Sequence, residues 1–371
     1  MFSRRLGRSI PFAILHLLVA AALAQAALPA SGLAASLEQL MADGHVPGVA
    51  MAIINNGEIV DVTTAGVRNV TSKAPVDGQT IFEAASLSKP VFAYAVLQLI
   101  DAGVLSLDEP LSKHVPDYVP KDPRAAEITV RQALSHTSGL PNFRSEKWPL
   151  KTHFAPAERY SYSSEGFMWL QRVVEAATGE HIEDLLQRLV FRPLGMRNSS
   201  LVWRPAFDSN YAEPHDATPA LRPKRKPPVA NAAATLQTTA IDYARFLQAV
   251  LRGRRLKPET ARLWLAPQVR VRNACFQCLA PDLPDVETHV AWGLGWGLEP
   301  EKGTFFHWGH NSGQRAYVVG SVRGRWAVVA FTNSASGLSI MPDLIALAVP
   351  GNRPSLEWLA YPRYVPNNSG K

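Results

Sequence analysis

The chain has 371 residues, 47% hydrophobic and 19% charged, enough apolar material for a large buried core and too much for wholesale disorder. Lys+Arg of 38 against Asp+Glu of 31 gives +7, and with Arg4, Arg5 and Arg8 confined to a leader-like stretch the rest is too mildly basic to argue for nucleic acid. Two cysteines exclude a disulfide-stapled scaffold and any multi-cysteine metal cluster.

Arg4, Arg5 and Arg8 precede an apolar run from Ile10 to Ala24 and then Ala24-Gln25-Ala26. Charged, apolar and small residues in that order predict a secretory signal peptide over residues 1–26, cleaved after Ala26. The run is short for a bilayer span, and no later stretch is long enough for one. The expectation is an exported, periplasmic or extracellular protein with no stable membrane span after cleavage.

Val49–Ile54 and Glu58–Thr64 flank Asn55-Asn56-Gly57, a β-hairpin signature. Ser88–Ala102 is apolar on nearly every side and stops at Gly103, as a buried central helix would. Further helices are predicted over Glu165–Ala177, Thr239–Arg252 and Lys257–Leu265, the last with Pro258 in its first turn. Thr304–Trp308, Arg315–Val322 and Arg325–Phe331 read as strands, with Arg323-Gly324 as a turn.

Five strands in two groups, one near each end, predict a mixed α/β (α+β) fold. One antiparallel sheet would be flanked by helices, with a mostly helical lobe inserted between the groups. The boundaries expected are an α/β lobe over about 33–105 and 290–349, a helical lobe over about 106–289, and a loop-like tail over 350–371. The cleft between the lobes is the default site. Residues 221–228, a basic proline-rich stretch, read as a solvated loop or as a surface for anionic lipid or wall polymer.

Three clusters carry chemistry. In Ser86-Leu87-Ser88-Lys89 a serine and a lysine three apart at a helix start share a face. A buried lysine loses solvation, its pKa falls, and it can accept the serine proton. The pair is weak alone but opens the most apolar helix in the chain, where an unneutralised lysine is costly. Tyr162-Ser163-Ser164 precedes a helix: one serine serves as its N-cap and Tyr162 as core filling, or Tyr162 carries protons with its phenol acidified by Lys89. In His307-Trp308-Gly309-His310 the two histidines face opposite sides of a strand, which disfavours a metal site. A backbone amide there, with Ser86 N–H, would make an oxyanion hole. Cys275-Phe276-Gln277-Cys278 reads as a local disulfide, as free thiols, or as a redox pair lacking the usual strand-then-helix setting.

In that order the clusters resemble the serine β-lactamase and penicillin-binding-protein-like superfamily, nearest the branch of class C β-lactamases, DD-carboxypeptidases and related esterases. Ala133-Leu134-Ser135-His136-Thr137-Ser138-Gly139-Leu140-Pro141, Arg192–Met196 and Trp292–Trp296 are similar to landmarks of that family, and the likeness runs from about Leu37 to Ala348. The resemblance implies a β-lactamase/transpeptidase-like fold and acyl transfer through a serine ester, without metal or cofactor. It casts Ser86 as nucleophile, Lys89 as its activator and Tyr162 as proton shuttle. His307 takes the place of a lysine in a Lys-Thr-Gly motif here reading His307-Trp308-Gly309, and the N–H groups of Ser86 and His310 would hold the oxyanion. Ser164 stands where the family usually has an asparagine that binds a substrate amide and steadies the lysine. A serine reaches less far. That change and the loss of a fixed charge at His307 tilt the expectation towards small esters, ahead of D-amino-acid or cell-wall peptides and β-lactams. A binder that is acylated without turnover is the rival of another class.

Overall fold

The computed structural model describes residues 30–361, so the expected leader lies outside the described residues. The described residues include ten strands: β1 Gly48–Asn55, β2 Glu58–Gly66, β3 Phe82–Ala85, β4 Leu236–Thr238, β5 Val269–Val271, β6 Val290–Trp292, β7 Gly297–Glu299, β8 Thr304–Asn311, β9 Gln314–Ser321 and β10 Trp326–Thr332. Eight form one antiparallel sheet in the order β2-β1-β10-β9-β8-β7-β6-β5, while β3 and β4 pair separately. The two end groups of strands therefore meet, β1 lying against β10.

The β1–β2 turn forms as its residues dictate. Asn56 and Gly57 both adopt positive φ, 52° and 80°, the primed geometry that suits the twist of a hairpin. Alternation along β1 then divides the core. Val49 and Met51 face one layer while Ala50, Ala52 and Ile54 face the other. The first layer is covered by the helices Gly337–Ala348 and Pro354–Trp358. The second is filled by the central helix Ser88–Asp101, eleven of whose residues are buried.

Two features differ from the sequence expectation. Strand β5 and the helix Ala240–Arg252 fall inside the 106–289 span, yet the strand joins the main sheet and the helix packs on β1 and β10. The sheet layer thus reaches back before residue 290. The tail is not all loop: Pro354–Trp358 is helical, and Trp358 is buried against Trp292 and Tyr160. The 221–228 loop is largely solvated, as the first of its two readings had it, with its lysines and Arg225 held in ion pairs. Lys224 and Lys226 pair with Asp208, at 3.1 and 2.8 Å, and Arg225 with Glu83 at 3.0 Å. Among the described residues no helix is long and apolar enough to cross a membrane.

Candidate active site

Ser86 follows β3 directly. Ala85, the last residue of that strand, is buried with φ +50°, a left-handed backbone that costs a non-glycine residue on the order of 1 kcal/mol. The kink turns the chain from strand to helix at the serine. Ser88 fixes it: its hydroxyl donates to Ala85 O at 2.5 Å and accepts from Leu236 N at 3.0 Å, tying the turn to β4. Ser86 is left half-buried at the mouth of the central helix, and Lys89 one turn on is wholly buried.

Lys89 Nζ has three oxygen partners: Ser86 Oγ at 3.3 Å, Ser164 Oγ at 3.0 Å and the Ala233 carbonyl at 2.8 Å. No carboxylate pairs with it among the described residues, and burial holds its pKa well below the usual lysine range. The ammonium position lies over aromatic faces, 4.7 Å from the Tyr162 ring centroid and 5.6 Å from that of Phe167.

Tyr162-Ser163-Ser164 divides its labour. Ser163 is the N-cap of the helix Ser164–Thr178, its hydroxyl accepting from Gly166 N at 2.9 Å. Ser164 reaches Lys89, so the shorter side chain steadies the lysine after all. Tyr162 stacks between His136 (ring centroids 4.2 Å apart) and Trp308 (5.0 Å). Its hydroxyl is buried with no hydrogen-bond partner among the described residues. The Ser86 hydroxyl is a polar neighbour outside hydrogen-bond geometry. Burial, the largest influence, pushes the phenol above its ordinary pKa, and Lys89 faces the ring instead of the oxygen. Burial thus works against the expected acidification of Tyr162 by Lys89 and favours the neutral phenol.

His307 lies on β8 among Tyr162, Trp292 and Trp296. Burial, the largest influence, lowers its pKa to about 3, so it is a neutral ring with no fixed charge to offer. Gly309, on the same face, has a steric reason to be glycine. A Cβ there would sit 2.2 Å from Ala84 O, so β8 touches the backbone that leads into Ser86. Strand β7 pairs with β8 only from Thr304 to Phe306, leaving the β7-side edge of β8 from His307 onward without a strand partner. The side chain of His310 is exposed.

Cys275 and Cys278 are disulfide-bonded, and their loop adjoins the site. The Phe276 carbonyl accepts from Tyr162 N at 2.8 Å, and Cys278 N donates to Ser161 Oγ at 2.9 Å. Sequence reasoning missed Ala233, Asn142 and the role of His136. The His136 Nδ1 accepts from Ser163 N at 3.0 Å while its ring walls Tyr162. Its place in the Ala133–Pro141 landmark is the available signal; Asn142 and Ala233 have none. Two cavities are lined by residues near Ala233 and His310 in the chain. One of about 840 Å³ is lined by Arg144, Met168, Gln171, Arg225, Asn231 and Thr235 among others. The other, about 420 Å³, is lined by Arg222, His310 and Arg315.

The arrangement sets a half-buried serine hydroxyl beside a buried amine and a buried phenol, next to a stretch of strand edge unpaired among the described residues, a combination suited to acyl transfer. Comparison with known proteins points the same way. The Beta-lactamase family model matches residues 33–349. The chain is 29% identical over 334 residues to "Penicillin-binding protein 4" of Amycolatopsis lactamdurans, covering 83% of this chain and 86% of that one. It is 30% identical over 229 residues to "Esterase EstB" of Burkholderia gladioli, 52% of this chain and 57% of that protein. The octameric penicillin-binding protein homologue from Pyrococcus abyssi superposes with a TM-score of 0.73 at 22% identity, over 88% of this chain and 79% of that chain. At that identity it speaks for the fold alone.

Proposed function

The chain belongs to the beta-lactamase family, and from that premise we propose an exported serine hydrolase that transfers acyl groups from small esters to water through a Ser86 ester. The observation that carries this reading is Lys89 Nζ, wholly buried without a carboxylate, 3.3 Å from Ser86 Oγ. A neutral amine there takes the serine proton as Oγ attacks the carbonyl carbon. The N–H groups of Ser86 and His310 hold the oxyanion, and Gly309 allows the strand edge to approach. When the carbon–oxygen bond to the leaving group breaks, that oxygen takes a proton from Tyr162, which is replenished from Lys89. In deacylation a water loses its proton to the Lys89–Tyr162 pair, its oxygen attacks the ester, and the proton returns to Ser86. Because the phenol is held neutral, Lys89 is the base and Tyr162 the donor to the leaving group.

The neutral His307 and the esterase relative favour esters. The intramolecular disulfide fits an oxidising compartment. One observation favours a second reading, a D-amino-acid peptidase or carboxypeptidase. Arg315, only 8% exposed, and Arg222 line the cavity beside His310 with no acid paired to either among the described residues, and such a site would take a substrate carboxylate.

The test is hydrolysis of p-nitrophenyl butyrate by the protein and by Ser86→Ala, beside release of D-alanine from a peptide ending in D-alanyl-D-alanine. Ester turnover lost with Ser86 supports the first reading, and peptide turnover without ester turnover supports the second. An acyl-enzyme that persists without turnover would mean a binder. Ester turnover unchanged in Ser86→Ala would refute the serine mechanism.

A further inference from the structure

We propose that Asn142 is a positioning residue which, through Ser164, keeps the lone pair of Lys89 Nζ aimed at Ser86 Oγ. The inference rests on the reading of Ser86 as nucleophile and Lys89 as its base, and concerns a residue outside the three motifs.

Asn142 lies on the loop after Pro141, half-buried against the start of the helix Ser164–Thr178. Its backbone carbonyl accepts from Ser164 N at 3.0 Å and Glu165 N at 3.1 Å, two of the amides a helix start leaves unpaired. Its Oδ1 accepts from Ser164 Oγ at 2.7 Å and from Ser164 N at 3.2 Å. The backbone contact sets the orientation of the side-chain amide, because Nδ2 in that place would face another donor.

Proton counting then runs outward from Asn142. Oδ1 has no proton to give, so the Ser164 hydroxyl donates its own to Asn142. Ser164 Oγ can therefore only accept from Lys89, at 3.0 Å. The Ala233 carbonyl, at 2.8 Å, likewise can only accept. A neutral amine has two N–H groups and one lone pair. With both N–H groups taken by Ser164 and Ala233, the lone pair is left for the third neighbour, Ser86 Oγ. Without Asn142, the Ser164 hydroxyl could rotate and donate to that lone pair, quenching the base.

The titratable groups facing Lys89 are Tyr162 across its ring and, through space, His136 and His307. Burial favours the neutral form of all three, so around neutral pH none competes for the proton. The two substitutions of Asn142 thus have opposite signatures. Asn142→Ala frees the Ser164 hydroxyl to donate to neutral Lys89, so the acid limb of kcat/KM moves to lower pH while its plateau falls on the order of 10²-fold. Asn142→Asp keeps an oxygen acceptor but adds negative charge that favours the ammonium, so the acid limb moves to higher pH and the loss concentrates at neutral and lower pH.

The experiment is the pH profile of kcat/KM on p-nitrophenyl butyrate for the protein, Asn142→Ala, Asn142→Asp, Ser164→Ala and the Asn142→Ala/Ser164→Ala pair, with thermal midpoints for each. Opposite limb shifts, with Asn142→Ala adding little once Ser164 is alanine, are expected. Wild-type profiles in both Asn142 variants, or a parallel loss in both that follows the thermal midpoint, would overturn the relay. Those results beside an inactive Ser86→Ala would leave the hydrolase reading standing, whereas an active Ser86→Ala would remove that reading itself.

Discussion

Gly309 on β8 and Ala84 on β3 are packed backbone to backbone, so that a Cβ on Gly309 would come within 2.2 Å of Ala84 O. Two residues after Ala84 stands Ser86, whose position against the strand edge is set by that contact. Gly309→Ala must push β8 and β3 apart, at a cost of about 1–3 kcal/mol for overpacking. The expected result is a lower thermal midpoint and kcat/KM reduced by more than about tenfold, since misplacement of an ångström is expensive in catalysis. Activity retained in a destabilised variant would show that catalysis tolerates a wider gap.

Lys89 is buried at a cost in stability. It is neutral in the folded protein over a range where the unfolded chain carries it charged, because burial holds its pKa well below 10.5. Between those two pKa values the unfolded state binds the extra proton, so this group makes stability rise with pH by about 1.4 kcal/mol per unit, up to the unfolded value. Lys89→Met removes the penalty. The variant is expected to lose at least about 10³-fold in turnover, yet to unfold at higher denaturant than the parent at pH 7, with the gap narrowing towards pH 10. A variant destabilised equally at every pH would contradict the neutral assignment.

The parts legible in the sequence are those governed by neighbours along the chain. Asn56-Gly57 makes its hairpin because both residues accept positive φ. The central helix ends at a glycine with φ +74°. Ser86 and Lys89 are readable because a lysine on so apolar a helix demands a use. By contrast β5, β6 and β7 have three residues each, too few for alternation to register, and pairing with distant strands makes them. The left-handed Ala85 carries no residue signature, and Asn142 acts across 22 positions of sequence. Ser164 reaches Lys89 because the fold brings the lysine to it.

The disulfide loop reaches Tyr162, whose N–H is held by the Phe276 carbonyl at 2.8 Å. A bridge between residues three apart closes a small loop and contributes about 2 kcal/mol at most by chain entropy. Cys275→Ser/Cys278→Ser is therefore expected to fold, to lose up to that much stability in urea titration, and to keep ester turnover within about tenfold. A thiol redox protein would instead lose all activity in the double variant while surviving Ser86→Ala, so the two substitutions together separate those chemistries.

Tyr162 has a buried hydroxyl with no hydrogen-bond partner among the described residues, beside Ser86. A neutral phenol is suited to giving a proton to a leaving oxygen and to relaying one from water, and less suited to drawing the proton off Ser86. Tyr162→Phe keeps the ring that packs on His136 and Trp308, so the fold should survive with a thermal midpoint near the parent's. Steady-state turnover should fall by about 10²–10⁴-fold. With an activated aryl ester, whose leaving group needs little protonation, acylation should suffer least. A burst of nitrophenol approaching one equivalent, followed by slow release, is the expected trace. A missing burst with equally slow turnover would move Tyr162 into the acylation step and make it, with Lys89, part of the base.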